Sequence, residues 1–539
     1  MASIRPIGET AGRGRRWTHT LMLWWLAALV PLMADLGQSA VRRTQEARVV
    51  ETARQTLTTH TWQAWLFPPL NGEVRLRKPP MAYWMSAASF AVLGVSEFAG
   101  RLPFALCGWL MIGVTFAIGA RLFGRRAGAL SAACLLGSYL FIQHSRLAET
   151  DAPAALFATI AAGLFWQAVE VESPLTCHLA AAATGLSFFA KQGPGAFPLL
   201  FFVAYALVRR RPRALWRFVI YGAPVTLIVL AGWWYGLAAY TRGLAQFRSE
   251  FAETTEGIDH FAPFYVYFGY FLQAAAPWSI VTIAAMVAAI SRFWRDPRLA
   301  GLLIWAACCF VPLCFLGNKQ IHYLLPMMPP AMILTGWLLE KGIRSTDAGL
   351  KNAARGVLFV TIVGSMIAPI SLPISGRLMR GSMIPLDFVF AVGTCIAMLP
   401  ALWLLVAKSD PFRAAAFLAG AWALVLPATI EHWGRTVTPV DEREIAAVIK
   451  SRCGDGPYVF DGGDTSLPLC FSMREEIPRI DDRRGDLLLE AAARTPSLAV
   501  IYEIPEHRPP PVLPPAQFVL VVPDVGALGQ HFRVYALGR

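Results

Sequence analysis

The sequence has few charged residues for its length. Charged residues make up 15% of the 539 residues and hydrophobic residues 56%, and the mean hydropathy is +0.48. Soluble domains contain about a quarter charged residues, so a single water-soluble core of this size would expose far too much apolar surface. The composition excludes a soluble enzyme, a disordered scaffold, a coiled coil and a disulfide-rich secreted module.

Cysteine patterns for metal binding are also missing. None of the nine cysteines forms a Cys-x-x-Cys pair or a Cys/His spacing typical of a metal site. Seven of them fall in apolar runs, where cysteine acts as a small hydrophobic residue. Cys453 and Cys470 lie in the C-terminal part, where they either pair in an oxidising compartment or remain free thiols.

Acidic residues are fewer than basic ones, 35 against 48, which gives a net charge of +13. In a soluble protein this excess would suggest a nucleic-acid partner. In a membrane protein the simpler interpretation is that the cations occupy cytoplasmic loops, so we expect no nucleic acid. An arginine-rich start precedes the apolar run 17–36, which is too long for a signal peptide and lacks a cleavage site; we expect an uncleaved anchor with a cytoplasmic N-terminus.

The remaining Lys/Arg clusters all fall on one side if the chain crosses the membrane thirteen times. That requires about 260 residues at roughly twenty per span. The apolar run 80–95 is left out, because it is short and counting it would move the cluster Arg125/Arg126 outside; we expect an interfacial or re-entrant helix there. An odd number of spans places the C-terminus outside. The expected spans lie near 17–36, 103–122, 127–143, 152–169, 175–190, 194–208, 217–237, 276–292, 299–316, 324–340, 356–375, 386–406 and 412–430.

Residues 431–539 differ in character, because they are polar and Pro-rich and alternate strand-like with helix-like stretches. This pattern predicts a small α/β domain. The expected fold class is therefore mainly α: a polytopic membrane protein. Residues 1–430 form its membrane-embedded domain and residues 431–539 an α/β domain on the outer side.

The first outer loop opens with RRTQEARVVETARQTL at 42–57. Val49, Val50, Ala53 and Leu57 form an apolar stripe at helical spacing. This predicts an amphipathic helix on the membrane surface; the alternative is an ordinary solvated helix.

Ionisable residues gather at the outer ends of the expected spans. A lone charge at such an end is usually an anchor that reaches the membrane surface, but grouped charges favour a shared cavity. Cations on loops fixed by prolines suit a phosphate on a lipid, and a carboxylate beside them suits deprotonation of an acceptor. Glycosyl transfer from a phosphate donor needs both. The cations are Arg48, Lys78, Arg146, Lys191 and Lys319, and the acids are Glu46, Glu149 and Asp151.

Several stretches resemble the integral-membrane GT-C glycosyltransferases of the protein-mannosyltransferase superfamily, above all the bacterial lipid A aminoarabinose transferases. They are TQEARVVETARQTL, LNGEVRLRKPPMAYW with GVSEFAGRLPFAL, GARLFGRRAG, SRLAETDAPAALF, AKQGPGAF and KQIHYLLPMMPPAMILTG, all within 44–336. The resemblance implies a GT-C fold with outer juxtamembrane helices, a polyprenyl-phosphate sugar donor (undecaprenyl phosphate as the lipid) and a periplasmic active site. The implied reaction inverts the anomeric centre, and the acceptor is a lipid or glycan. The resemblance also implies a location in the bacterial inner membrane, with residues 431–539 as a periplasmic domain.

The resemblance also assigns donor-binding roles. Arg48 matches the family's phosphate-facing arginine and Lys78 the lysine of its KPP motif. Lys191 and Tyr323 match residues that reach the lipid phosphate, and Arg146 and Lys319 are further substrate-binding candidates. The glutamate that precedes the KPP lysine in relatives is Arg77 here. Because that glutamate can help hold a metal, the departure weakens a metal site; no cofactor is implied with certainty, and a divalent metal stays possible.

Two residues are candidates for the catalytic carboxylate. Relatives begin the first-loop motif with an acidic pair, whereas this chain has Gln45 and Glu46. Either Glu46 or Asp151, which matches the second-loop aspartate, is then expected to assist the acceptor. His260, in the long outer loop, is a possible further ligand or base, or an ordinary loop histidine. The aromatic segment 261–273 either lines an entrance for the lipid tail or forms an interfacial belt.

Two other functions remain open. A lipid-linked-sugar transporter would need polar groups near the middle of the spans, where the expected spans have almost none. A catalytically inactive relative that binds lipid phosphate is favoured only by Gln45, which stands where the family has an acid.

Overall fold

The apolar runs of the sequence form helices because a backbone surrounded by lipid or apolar side chains must satisfy its own hydrogen bonds. We describe a computed structural model. It describes residues 22–76, 78–171, 173–226, 232–243, 262–346, 348–380, 384–437, 441–454, 458–461, 466–480, 499–504, 518–527 and 530–537. The expectations for the N-terminal arginines, Arg77 and His260 lie outside these residues.

The described part is mainly helical. Its helices up to residue 242 are α1 (Leu29–Met33), α2 (Thr44–Thr58), α3 (Trp62–Leu66), α4 (Met81–Leu93), α5 (Glu97–Phe123), α6 (Arg125–Leu136), α7 (Tyr139–Ser145), α8 (Asp151–Val171), α9 (Pro174–Ala190), α10 (Gln192–Val208), α11 (Pro212–Arg217), the π-helical turn Phe218–Gly222 and α12 (Trp233–Arg242). The later ones are α13 (Val266–Ala274), α14 (Ser279–Ile290), α15 (Pro297–Phe315), a 3-10 helix (Ile321–Met327), α16 (Met328–Arg344), α17 (Ala348–Ile367), a 3-10 turn (Ala368–Ile370), α18 (Ser371–Arg380), α19 (Pro385–Val406), α20 (Pro411–Val437), α21 (Glu442–Cys453) and α22 (Leu467–Met473).

The chain is a multi-pass membrane protein. Within its described part, six helices are long and apolar enough to cross a membrane, and up to eight spans result if each of two bent helix pairs counts as one. Further apolar helices of 10–17 residues, among them α9 and α10, fall below the length of an independent span. The expected total of thirteen spans is therefore not confirmed.

Three expected spans are interrupted. The run 127–143 is divided between α6 and α7, which bend by 66°, and α13 and α14 meet at 113° just before the expected span 276–292. Pro277 lies in this second break, and proline cannot donate the backbone hydrogen bond that a continuous helix needs. The run 324–340 begins in the 3-10 helix. The first break precedes the segment with Arg146 and Asp151, the second follows the aromatic segment 261–273, and the third contains Tyr323.

The first outer loop is built of juxtamembrane elements. The helix expected at 42–57 is confirmed as α2, but it is not a solvated surface helix, because residues from Glu46 to Thr56 are mostly buried on all sides. It packs against α4, the helix observed within 80–95, and against α22. Between α3 and α4 lies a small antiparallel ladder of β1 (Pro69–Leu70) and β2 (Glu73–Val74).

The C-terminal part contains a mixed sheet with helices beside it. Its strands are β3 (Tyr458–Asp461), β4 (Arg479–Ile480), β5 (Ala499–Ile504), β6 (Phe518–Ala527) and β7 (Gln530–Leu537), in the order β4-β3-β5-β7-β6. β3 pairs in parallel with β4 and β5, and β7 pairs antiparallel with β5 and β6. Cys453 and Cys470 are both free thiols.

This part contacts the juxtamembrane elements directly. Arg54 of α2 pairs with Glu51 at 2.6 Å and donates a hydrogen bond to the carbonyl oxygen of Arg474. The rings of Phe90 and Phe471 stack with their centroids 6.2 Å apart. These contacts hold α2 and α4 in fixed positions next to the site described below.

Candidate functional site

Asp151 and Lys191 meet where two neighbouring helices turn. α8 begins at Asp151 and α9 returns to end at Ala190, so the antiparallel pair brings Lys191 beside the first turn of α8. Lys191 Nζ donates to Asp151 Oδ1 over 2.7 Å, and both side chains are largely buried. A carboxylate at a helix N-terminus is also favoured by the helix dipole. We call this end of the helix bundle the site end.

The 3-10 helix adds two rings to this pair. Lys191 Nζ lies 4.6 Å from the centre of the Tyr323 ring, within the range of a cation–π contact. His322 Nε2 lies 4.0 Å from Asp151 Oδ2. Burial lowers the pKa of His322 to about 3 against the opposing effect of Asp151, so its imidazole is neutral at physiological pH.

Lys78 completes the cluster from the loop before α4. Burial, together with the charge of Lys191, lowers the pKa of Lys78 to about 7, although Asp151 and Glu149 act in the opposite direction. In the described part of the chain no carboxylate lies within ion-pair distance of Lys78. Asp151 is paired with Lys191 alone, so the two lysines and one carboxylate leave a positive site, which favours an anion.

A second group of polar residues lies next to this cluster. The buried Lys319 donates to the carbonyl oxygen of Leu316, and its Nζ lies 5.9 Å from the Tyr267 ring centre. Gln45 Nε2 donates to Gln320 Oε1 over 3.0 Å, and the Tyr267 hydroxyl donates to the Gln320 carbonyl oxygen over 3.4 Å. Arg48 is partly buried one turn further along α2.

The aromatic segment 261–273 has a mixed role in the structure. Tyr267 on α13 is fully buried and reaches the site end, whereas Phe264, Tyr265 and Phe268 are more than half exposed. Phe261 lies outside the described residues. Both earlier interpretations of the segment, a lipid entrance and an interfacial belt, fit the exposed rings.

Glu46 lies apart from these residues. It is 1% exposed, and its carboxylate accepts two hydrogen bonds from Arg101 over 2.7 and 3.0 Å and one from the backbone of Ala148 over 3.1 Å. Arg101 also donates to the carbonyl oxygens of Leu36 and Ala40. This ion pair joins α2 and α5 to the end of α1.

Sequence reasoning missed His144 and Arg43. His144 Nδ1 and Glu149 Oε2 lie 3.0 Å apart, and Arg43 Nε lies 3.1 Å from Glu149 Oε1. Although burial acts in the opposite direction, His144 and Arg43 hold the pKa of Glu149 well below its usual range. The signal was present, because His144 stands in the same HSRLAETD segment as Glu149 and Asp151.

A chamber of about 960 Å³ lies on the other side of Arg43. Its polar wall contains four arginines (Arg42, Arg43, Arg101 and Arg146) and three carboxylates (Asp35, Glu46 and Glu431). α17, the segment 368–375 and α20 provide much of its apolar wall. Arg146 donates to the carbonyl oxygen of Ala34. Burial, assisted by the nearby Arg101, lowers the pKa of Arg146 to about 10. The ionisable residues that the sequence grouped together thus lie in two adjoining regions, a lysine cluster and an arginine-lined chamber.

The part of the chain that carries Lys78, Asp151 and Lys191 matches a known family. Residues 77–235 match the family model described as dolichyl-phosphate-mannose-protein mannosyltransferase. An undecaprenyl phosphate-alpha-4-amino-4-deoxy-L-arabinose arabinosyl transferase of Pseudomonas paraeruginosa is 25% identical over 354 residues, which cover 62% of this chain and 62% of the relative. Part of this chain is therefore similar to the protein-mannosyltransferase superfamily.

Other comparisons agree with this relationship. An uncharacterised protein of Aquifex aeolicus is 28% identical to this chain over 329 residues, which cover 59% of this chain and 64% of that protein. The chain therefore spans less than two thirds of the length of these two curated proteins. The crystal structure of ArnT from Cupriavidus metallidurans bound to undecaprenyl phosphate has a TM-score of 0.75 at 19% identity and covers 96% of this chain and 98% of that one. This likeness confirms the expected GT-C fold.

The described residues of the candidate site do not fit a metal ion. No group of three His, Cys, Asp or Glu side chains in the described ranges has the arrangement that would hold one. Asp151 is engaged by Lys191, and Glu149 by His144 and Arg43.

Proposed function

We propose that this chain is an inverting glycosyltransferase that moves a sugar from a polyprenyl-phosphate donor to a lipid or other periplasmic acceptor. The observation that carries the proposal is the cluster of the buried Asp151 with the partly buried Lys78, Lys191 and Tyr323 near the ends of membrane-embedded helices. It combines a positive site for a phosphate with a carboxylate in contact with it. The superfamily relationship supports the same reaction class.

Lys78 and Lys191 bind the donor phosphate in this proposal. Lys78 is held by the following Pro79 and Pro80, and a partly desolvated ammonium gains a counterion when a phosphate arrives. Arg48 and Lys319 extend the positive region, and the Tyr323 hydroxyl provides a neutral donor. Their combined charge stabilises the phosphate as it leaves the anomeric carbon.

Asp151 is our candidate for the acceptor's base. When a donor phosphate draws Lys191 away, Asp151 Oδ1 becomes able to accept the proton of an acceptor hydroxyl. Attack by that hydroxyl on the face opposite to the phosphate breaks the bond between the anomeric carbon and the phosphate oxygen, which gives inversion. Glu46 has no comparable freedom because Arg101 occupies both of its oxygens, so we assign it a positioning role.

The acceptor occupies the chamber in this proposal. Arg42 and Arg43 of its polar wall are paired with Glu431 and Glu149. Arg146 forms no ion pair within the described part of the chain and suits an anionic head group, and the apolar wall suits acyl chains. Arg43 connects the chamber to the lysine cluster through Glu149. The proposed orientation places both regions on the periplasmic side, with the N-terminus in the cytoplasm.

A catalytically inactive lipid-phosphate-binding protein is the second candidate. It is favoured by the amide of Gln45 and by the ion pair that neutralises Asp151. A transporter is less well supported, since the polar cluster lies at helix ends.

Transfer from a panel of labelled polyprenyl-phosphate sugars to native lipid extract tests the proposal. With purified protein, we expect Lys78→Ala to reduce donor affinity at least tenfold, and Asp151→Asn to reduce turnover at least a hundredfold with donor affinity retained. Glu46→Gln serves as a comparison and should lower thermal stability, because it weakens a buried ion pair. Donor binding without consumption would favour the inactive candidate, and full activity of both site variants would contradict our assignment.

A further inference from the structure

The amide pair of Gln45 and Gln320 forms a neutral wall of the site. Gln320 adjoins Lys319, and its carbonyl oxygen accepts the backbone amide of Tyr323 over 3.2 Å. Gln45 reaches it from α2 over 3.0 Å. Two elements that are far apart in sequence thus place an amide pair beside Lys319, and the Gln320 backbone bonds to Tyr323, whose ring contacts Lys191.

The groups around this pair carry a surplus of positive charge. Lys78, Lys191 and Lys319 lie at this end of the bundle. Asp151, the described carboxylate of the cluster, is already paired with Lys191 over 2.7 Å. The carboxylates of Glu149 and Glu46 are held by arginines at 3.1 and 2.7 Å. Among the residues that the structure describes, no carboxylate here is left to balance a further cation.

A sugar bound between the lysines and the amide pair would therefore meet hydrogen-bonding groups and positive charge. The Gln45–Gln320 bond uses one side-chain N–H of Gln45 and the side-chain oxygen of Gln320. The side-chain oxygen of Gln45 can still accept a hydrogen bond, and the side-chain NH2 group of Gln320 can still donate. Sugar hydroxyls both donate and accept, so they match this pair. A protonated amine could donate to the Gln45 side-chain oxygen, but the lysines would repel it and no free carboxylate among the described residues would offset that repulsion.

We propose that the donor's sugar is uncharged and presents hydroxyls to Gln45 and Gln320, in contrast to the amino sugar named for the Pseudomonas paraeruginosa relative. This inference rests on the proposed function, because it specifies the substrate class of the same site. In this inference the amide pair selects the sugar, whereas the lysines bind the phosphate.

The test uses two undecaprenyl-phosphate donors that differ at one position, arabinose and 4-amino-4-deoxy-arabinose, and the matching pair of glucose derivatives. We expect the full-length protein in lipid to prefer the hydroxyl sugar at least tenfold, measured as kcat/KM and as competitive binding. Gln45→Glu should shift this ratio at least tenfold towards the amino sugar, and Gln320→Glu should act in the same direction. Gln63→Glu, the same change at an exposed position on the short helix α3, should leave the ratio unchanged.

The outcomes separate this inference from the proposed function. Preference of the unaltered protein for the amino sugar, or equal ratios in the unaltered protein and both folded site variants, would overturn the inference while leaving the transferase intact. If neither donor is consumed, the proposed function fails. The competition experiment then still decides whether the amide pair selects neutral sugars.

Discussion

Lys78 illustrates how burial can give one side chain a functional property. A lysine in water carries its charge well beyond neutral pH, but burial and the neighbouring Lys191 bring the pKa of Lys78 to about 7. A phosphate in contact would stabilise the charged form, so donor binding should take up a proton. The sequence showed a lysine before two prolines; its pKa depends on neighbours from other helices.

We therefore predict that donor affinity falls as the pH rises through 7. The dissociation constant of the donor should be about tenfold higher at pH 8 than at pH 6, because Lys78 in the free protein loses most of its charge over this range. Lys78→Arg should bind with little pH dependence, since arginine stays protonated. Titration of each protein with donor at several pH values measures both profiles, because the donor's phosphodiester keeps one negative charge throughout. A flat profile for the unaltered protein would show that Lys78 does not contact the phosphate.

Two carboxylates looked equivalent in the sequence and differ in the structure. Glu46 lies in a fully buried pair with Arg101, which is 55 residues further along the chain. Asp151 faces Lys191 and His322 at the site end. Local sequence could not separate them, because the distinguishing partners come from other helices.

At the scale of elements, small residues decide how closely the helices approach. Gly336 of α16 faces α6, where a Cβ atom would lie 2.6 Å from the carbonyl oxygen of Ala127 and 2.6 Å from the amide nitrogen of Ser131. These neighbours are backbone atoms and cannot rotate away. α6 carries the chain towards α7 and the HSRLAETD segment, so its position affects the site.

We predict that Gly336→Ala lowers the free energy of unfolding by about 1–3 kcal/mol, as overpacking typically does. The matched control is Gly393→Ala on α19, where nothing lies within 4 Å of an added Cβ. It should be neutral or slightly stabilising, because alanine favours helix. Thermal unfolding in detergent compares the two variants. Equal melting temperatures would mean that the two helices adjust without cost.

The element scale is also where sequence-based prediction was least accurate. Hydropathy located the apolar runs correctly, and α8, α15, α19 and α20 lie where spans were expected. It did not locate the bends at 137–138 and 275–278, because a bent pair and a straight helix can have the same composition. The juxtamembrane α2 was found from its periodicity, but its burial depends on α4 and on the C-terminal part.

At the scale of the whole molecule, the chamber and the lysine cluster form two adjoining compartments. α17 borders the chamber, and Gly364 lies on its wall. Nothing lies within 4 Å of a Cβ added there, so a side chain can leave the helix at this position without an immediate clash. The same helix carries Gly356, which also has open space but does not line the chamber.

We predict that Gly364→Trp fills part of the chamber and raises the KM for the acceptor at least fivefold, while the affinity for donor is unchanged, as expected of a large ring placed in an acceptor compartment. Gly356→Trp should have neither effect. Initial rates at varied acceptor, together with donor binding, separate the two compartments. A loss of donor affinity in Gly364→Trp alone would place the donor in the chamber instead.

The sequence by itself determined that this is a mainly helical membrane protein, and it named most residues of the candidate site. It could do so because hydrophobicity and motif spacing are local properties of the chain. Only the tertiary structure decided that Asp151 pairs with Lys191, that Glu46 is held by Arg101, and that Gln45 meets Gln320. These contacts join residues 40, 55 and 275 positions apart. Such pairs form only when helices that are distant in the chain pack together.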